Sequence, residues 1–89
     1  MAIDALKIAK EYAEGLNFGY DMVREAGERD GYKYFHYFRK VDAACHRKVG
    51  LPQIIKISTS GVVTEVRGLY ERMWAVKQEV KLNNLRNHS

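Results

Sequence analysis

Two runs rich in β-branched residues, 53–58 and 62–67, lie on either side of Thr59, Ser60 and Gly61. A loop of small residues ending in glycine between two such runs predicts a tight β-hairpin. Ile55 and Ile57 then share one face of the first strand, and Thr64 and Val66 share one face of the second. Two strands alone are marginal in water, so the hairpin needs a helix or a third strand across it. That requirement ties the chain to an α+β class, because helical patterns flank the hairpin.

The N-terminal pattern predicts one long amphipathic helix over 3–27. Leu6, Ala9, Ala13, Leu16, Tyr20 and Val23 alternate spacings of three and four, which lines one helical face. Ile8, Tyr12 and Met22 widen that stripe. Asp4 fits an N-cap and Gly27 a stop. Gly15 and Gly19 each cost roughly 1 kcal/mol relative to alanine in a helix, so the helix is expected to bend or split near residue 15.

Residues 32–38 hold five aromatics in seven positions, a strand-like composition, yet the apolar set does not alternate cleanly. On a helix, Tyr34, Tyr37, Phe38, Val41, Ala44, Cys45 and Val49 fall on one face. Gly50 and Pro52 would end that helix. Period over so many residues favours a second helix over 32–50; the rival is a strand over 32–40 followed by a loop. Gly68 opens a last helix over 69–82, with Leu69, Met73, Val76 and Val80 as its apolar stripe and Tyr70 and Trp74 beside it. Residues 83–89 have no period and read as a frayed tail. The expected order is α-α-β-β-α, or α-β-β-β-α on the rival reading, in one domain over 1–82 without internal repeats.

Charge is uneven along the chain. Residues 1–28 hold three bases and six acids, whereas 29–50 hold six bases and two acids. This permits two functional readings. In the first, a basic helix followed by a hairpin has the element order of a winged helix. Lys33, Arg39, Lys40, Arg47 and Lys48 would neutralise phosphates, with His36 and Tyr37 beside them and Lys56 and Ser60 on the wing. If 32–40 is a strand instead, Tyr34, His36 and Phe38 share a face that could stack single-stranded bases. In the second reading the chain is a homo-oligomeric or protein-binding domain that pairs through its first and last helices. Tyr70, Met73 and Trp74 are the residue types enriched at the energetic centres of interfaces. Nucleic acid is the leading partner class, and self-association the alternative.

Other chemistries find little footing. One cysteine cannot make an internal disulfide. Cys45 and His46 are sequence neighbours and point apart on a helix, and with His36 and His88 they lack the paired spacing of a zinc site. No phosphate-loop or dinucleotide glycine pattern occurs. Eighty-nine residues leave little room for a small-molecule pocket of ~300 Å³ or more. The expectation is a non-enzymatic chain without cofactor, metal or small-molecule substrate. Glu11, Glu14, Asp21 and Glu25 on the N-terminal helix oppose an anionic membrane surface. The absence of an apolar leader-like run points to the cytoplasm.

Overall fold

Alternation along a strand sends neighbouring side chains to opposite faces, and this chain uses both faces of one sheet. A computed structural model describes residues 4–41 and 53–87, the side chains of 86 and 87 excepted. Its elements are α1 (Ala5–Gly15), β1 (Met22–Arg29), β2 (Tyr32–Phe38), β3 (Gln53–Ser58), β4 (Val63–Glu65) and α2 (Leu69–Asn87). The four strands form an antiparallel meander in the order β1-β2-β3-β4. One helix lies on each face, so the domain is a helix–sheet–helix sandwich of the α+β class.

On one face Ala5, Ala9 and Ala13 of α1 rest on Phe35, Tyr37, Ile55 and Ile57. Alanine at every fourth position lets the helix approach the sheet closely. Ile8, Tyr12, Leu16, Tyr20, Val23 and Val63 close the margins of this core. On the other face Ala75 of α2 packs with Ala26, Tyr34, Ile54 and Val66, flanked by Tyr32, Trp74 and Val76. Asp4 caps α1 as expected, its carboxylate accepting the Lys7 N–H at 3.1 Å.

The expected hairpin is present as β3 and β4. Gly61 takes φ +89°, its N–H reaches the Ser58 carbonyl, and the Ser58 N–H reaches the Val62 carbonyl, both at 3.0 Å. Strand β4 is shorter than the run 62–67, but Val66 N–H still bonds the Ile54 carbonyl at 3.0 Å.

Three expectations are corrected. The first helix stops at Gly15, and residues 22–29 form β1. Asn17 and Gly19 take positive φ and turn the chain back, so Leu16, Tyr20 and Val23 reach the α1-side core by another route. Their helical spacing was therefore compatible with a turn and a strand that bury the same side chains.

Second, 32–38 is a strand rather than a helix, and the α-α-β-β-α order behind the winged-helix comparison is not adopted. β2 lies between β1 and β3 and is hydrogen-bonded to both. With a helix over each face, Tyr34, Phe35 and Tyr37 are all buried. A strand covered on both sides has no need to alternate apolar with polar, which is why its period misled. The continuation of the expected helix over 42–50 lies outside the described residues.

Third, α2 runs to Asn87, five residues past the expected end, and presents a different face to the sheet.

The register of β1 and β2 slips by one residue. Glu25 faces Phe35 and Glu28 faces Lys33, so Ala26 and Gly27 together oppose Tyr34. This bulge restores Arg29 to the α2 side, where its guanidinium lies 4.3 Å from the centre of the Trp74 ring.

Candidate interaction surface

Strand alternation sorts the charges of the sheet. Arg24, Arg29, His36 and Lys56 project towards α2, whereas Glu25, Glu28 and Glu65 project towards the α1 side. Lys33 is the one strand lysine or arginine on the α1 side, across from Glu28. An apolar helix laid over the α2 side would strip water from basic groups without replacing it.

Helix α2 is rotated to meet that demand. Glu71 Oε2 accepts from the Tyr34 hydroxyl at 2.5 Å and from Lys56 Nζ at 3.0 Å. Glu79, only 7% exposed, accepts from His36 Nδ1 at 2.8 Å. Arg72 Nε donates to the Val66 carbonyl at 2.8 Å. Trp74 sets its ring edgewise to Tyr34 with centroids 4.9 Å apart. Glu71, Ala75 and Glu79 recur every fourth residue, and that row faces the sheet.

Of the stripe expected to face the core, Leu69, Met73 and Val80 are consequently turned outwards, while Val76 stays at the margin of the α2-side core. Leu69, Tyr70, Met73, Val80 and Leu85 are exposed, Tyr70 to 89%. Lys77 and Lys81 are exposed on the same helix, and both of its acids are engaged inwards. The outer surface of α2 is therefore apolar and basic. A buried carboxylate and an exposed apolar row on one helix are the two departures from ordinary burial that carry information.

The inner contacts shift ionisation in a consistent direction. The Tyr34 hydroxyl, and then Lys56, hold Glu71 below the usual carboxylate range. The Glu71 hydrogen bond raises Lys56. Burial, followed by the Glu71 hydrogen bond, raises Tyr34. Across the sheet, Tyr12 donates to Glu65 at 2.6 Å, and burial together with that bond pushes its pKa from 10.0 up to about 12.

A raised tyrosine or lysine pKa means that the unfolded chain loses its proton first as pH rises. Stability from Tyr12 is thus whole below about pH 10 and is lost as pH rises through about 12. Thermal melts followed by circular dichroism should show the midpoint falling over that window. In Tyr12→Phe the fall should be shallower, and an unchanged slope would refute the assignment. Glu71 works in the opposite sense, contributing above its unfolded pKa and losing that contribution as pH falls through its depressed folded value.

Among the described residues, those proposed from the sequence for phosphate contact do not gather on one surface. Lys33 is exposed on the α1 side. His36 is held by Glu79 on the α2 side. Tyr37 is buried in the α1-side core, between Tyr12 and Tyr20 at 6.2 and 4.8 Å. Arg39 is half-buried beyond β2, and Lys40 is exposed with its backbone N–H on Asp21 Oδ1 at 2.7 Å. Arg47 and Lys48 lie outside the described residues, as do Cys45, His46 and His88.

Tyr34, His36 and Phe38 do share one face, but Glu71, Trp74 and Glu79 of α2 contact the first two. Of the proposed interface residues, Tyr70 and Met73 are exposed, and Trp74 is half-buried beneath Arg29. Leu69, Lys77, Val80, Lys81 and Leu85 were not singled out as surface. The Glu71–Ala75–Glu79 row was the signal that could have revealed the helix's true inner face.

Among the described residues no group of His, Cys, Asp and Glu assembles as a metal would need, and no helix is long and apolar enough to cross a membrane. Compared with protein-family models, with curated proteins and with solved structures, the chain finds no match in any of the three. What the fold itself defines is a small α+β domain with one apolar, basic helix face turned outwards.

Proposed function

We propose that the chain is a non-enzymatic self-association module in which the outer face of α2 docks on a second copy. The observation that supports this is the rotation of α2, which spends its acids on the sheet and leaves Leu69, Met73 and Val80 exposed. A chain of 89 residues buries a modest fraction of its surface alone, and association is a common way to bury more. A 19-residue helix offers a contact about 28 Å long at 1.5 Å per residue.

Light scattering coupled to size exclusion, over a concentration series, tests the proposal. The mass of the wild-type chain should rise above the 10.3 kDa of one copy. Met73→Asp/Val80→Asp, both at exposed positions, should weaken association roughly tenfold or more. A wild-type mass that stays at one copy throughout would overturn it.

A second reading has its own observation. Arg24, Arg29, Lys77 and Lys81 are exposed on the α2 side, which suits a phosphate backbone. A labelled duplex and a single strand included in the same runs decide between the two. Co-elution that vanishes with added salt, from a chain that is otherwise monomeric, would favour nucleic acid.

A further inference from the structure

We infer that copies associate head to tail, with the α2 side of one chain seated on the α1 side of the next. This rests on the self-association proposed above and adds the partner surface. The sheet separates charge between its two faces. The α2 side carries Arg24, Arg29, Arg72, Lys77 and Lys81, whereas Glu71 and Glu79 are bonded inwards, Glu71 to Lys56 and Glu79 to His36. The α1 side carries more acids than bases: Asp4, Glu11, Glu14, Glu25, Glu28 and Glu65 against Lys7, Lys10, Lys33 and Arg67, the last paired with Glu65 at 3.1 Å. Both sides also expose apolar groups, Leu69, Tyr70, Met73 and Val80 on one and Leu6 and Phe18 on the other.

A two-fold pairing of α2 with α2 would bring together two faces that each carry Lys77 and Lys81, with no exposed acid on either helix to meet them. Seating α2 on the α1 side of the next copy sets those lysines against a mixed helix face, with Glu11 and Glu14 exposed beside Lys7 and Lys10, so acids are present where an α2–α2 pairing has none. Opposite potentials set orientation and suppress the wrong register. Because the helices lie on opposite faces of one sheet, each copy in such a pair still offers one unused face. The contact is heterologous and the series stays open instead of closing at two.

The concentration series distinguishes the arrangements when two variants with changes on exposed residues are added. For the wild type, mass should climb without a plateau at two copies and fall as salt is raised. Glu11→Lys/Glu14→Lys should associate at least tenfold more weakly, as should Met73→Asp/Val80→Asp. Each variant keeps one intact face, so an equimolar mixture should regain a species of about twice the single-copy mass. That recovery also shows both variants to be folded.

A plateau at two copies that Glu11→Lys/Glu14→Lys leaves unchanged would establish a closed α2–α2 dimer; the head-to-tail arrangement would fall while self-association stood. A mixture that fails to recover, when wild type associates, would equally overturn the arrangement. Wild type that is monomeric at every concentration removes the underlying proposal itself.

Discussion

Replacing Gly27 with alanine is expected to destabilise the domain by roughly 2–5 kcal/mol, the sum of a strained backbone and an overpacked contact. Gly27 takes φ +98°, a region that L side chains adopt at a cost. A Cβ built there would stand 2.9 Å from Gln78 Cβ and 3.2 Å from Gln78 Cγ, close to the helix backbone where little can yield. The residue is therefore glycine for two reasons, the bulge in β1 and the close approach of α2.

Gly31 separates them. It also has positive φ, at +80°, but a Cβ there would meet nothing within 4 Å. Gly31→Ala should show the backbone cost alone, about 1–2 kcal/mol. At about 4–8 °C per kcal/mol for a domain of this size, the two variants are readily resolved in thermal melts. If Gly27→Ala were no worse than Gly31→Ala, the packing of α2 on the bulge would be refuted. Because that contact sets how α2 lies on the sheet, a folded Gly27→Ala chain should also associate more weakly.

The second large effect concerns the His36–Glu79 pair. Changing His36 to phenylalanine leaves a mostly buried carboxylate without its bonded partner. Breaking a buried pair from one side costs about 3–5 kcal/mol. His36 keeps a fifth of its side chain exposed, which places the expected loss near the lower end of that range. Replacing both partners, as in His36→Phe/Glu79→Leu, removes the stranded charge along with its partner. The double variant should therefore be more stable than His36→Phe alone, with a coupling of about 0.5–3 kcal/mol in urea titrations. Strictly additive losses would show that the pair does not fix the rotation of α2.

How far the sequence reveals these features depends on the range of the interactions that set them. The 53–67 hairpin was legible because its turn is local: Gly61 and Ser58 close it within a few residues. The cap at Asp4, and the existence of a helix after Gly68, were legible for the same reason. Tyr70 and Met73 were named as interface candidates on residue type alone, with Met73 also on the stripe expected to face the core, and the rotation that exposes them went unseen.

Residues 16–23 show the limit of periodicity. Leu16, Tyr20 and Val23 must be buried on the α1 side, and a helix or a turn and strand can both achieve it. Pairing of β1 with β2 decided the matter, through contacts that no local window contains. In 32–38 the aromatic composition was the better guide and the helical period the worse, because two helices cover the strand.

The sequence by itself therefore determined the α+β class, the hairpin and the presence of the two terminal helices. Each of these follows from turn chemistry, capping and apolar content acting over a few positions. Only the tertiary structure decided that 22–29 and 32–38 are strands, that the charges of the sheet part between its faces, and that α2 turns Glu71 and Glu79 inwards. The reason is physical: a helix of mixed character has two faces it can bury, and what selects between them is the row of basic side chains on the sheet opposite, supplied by strands far away in the chain.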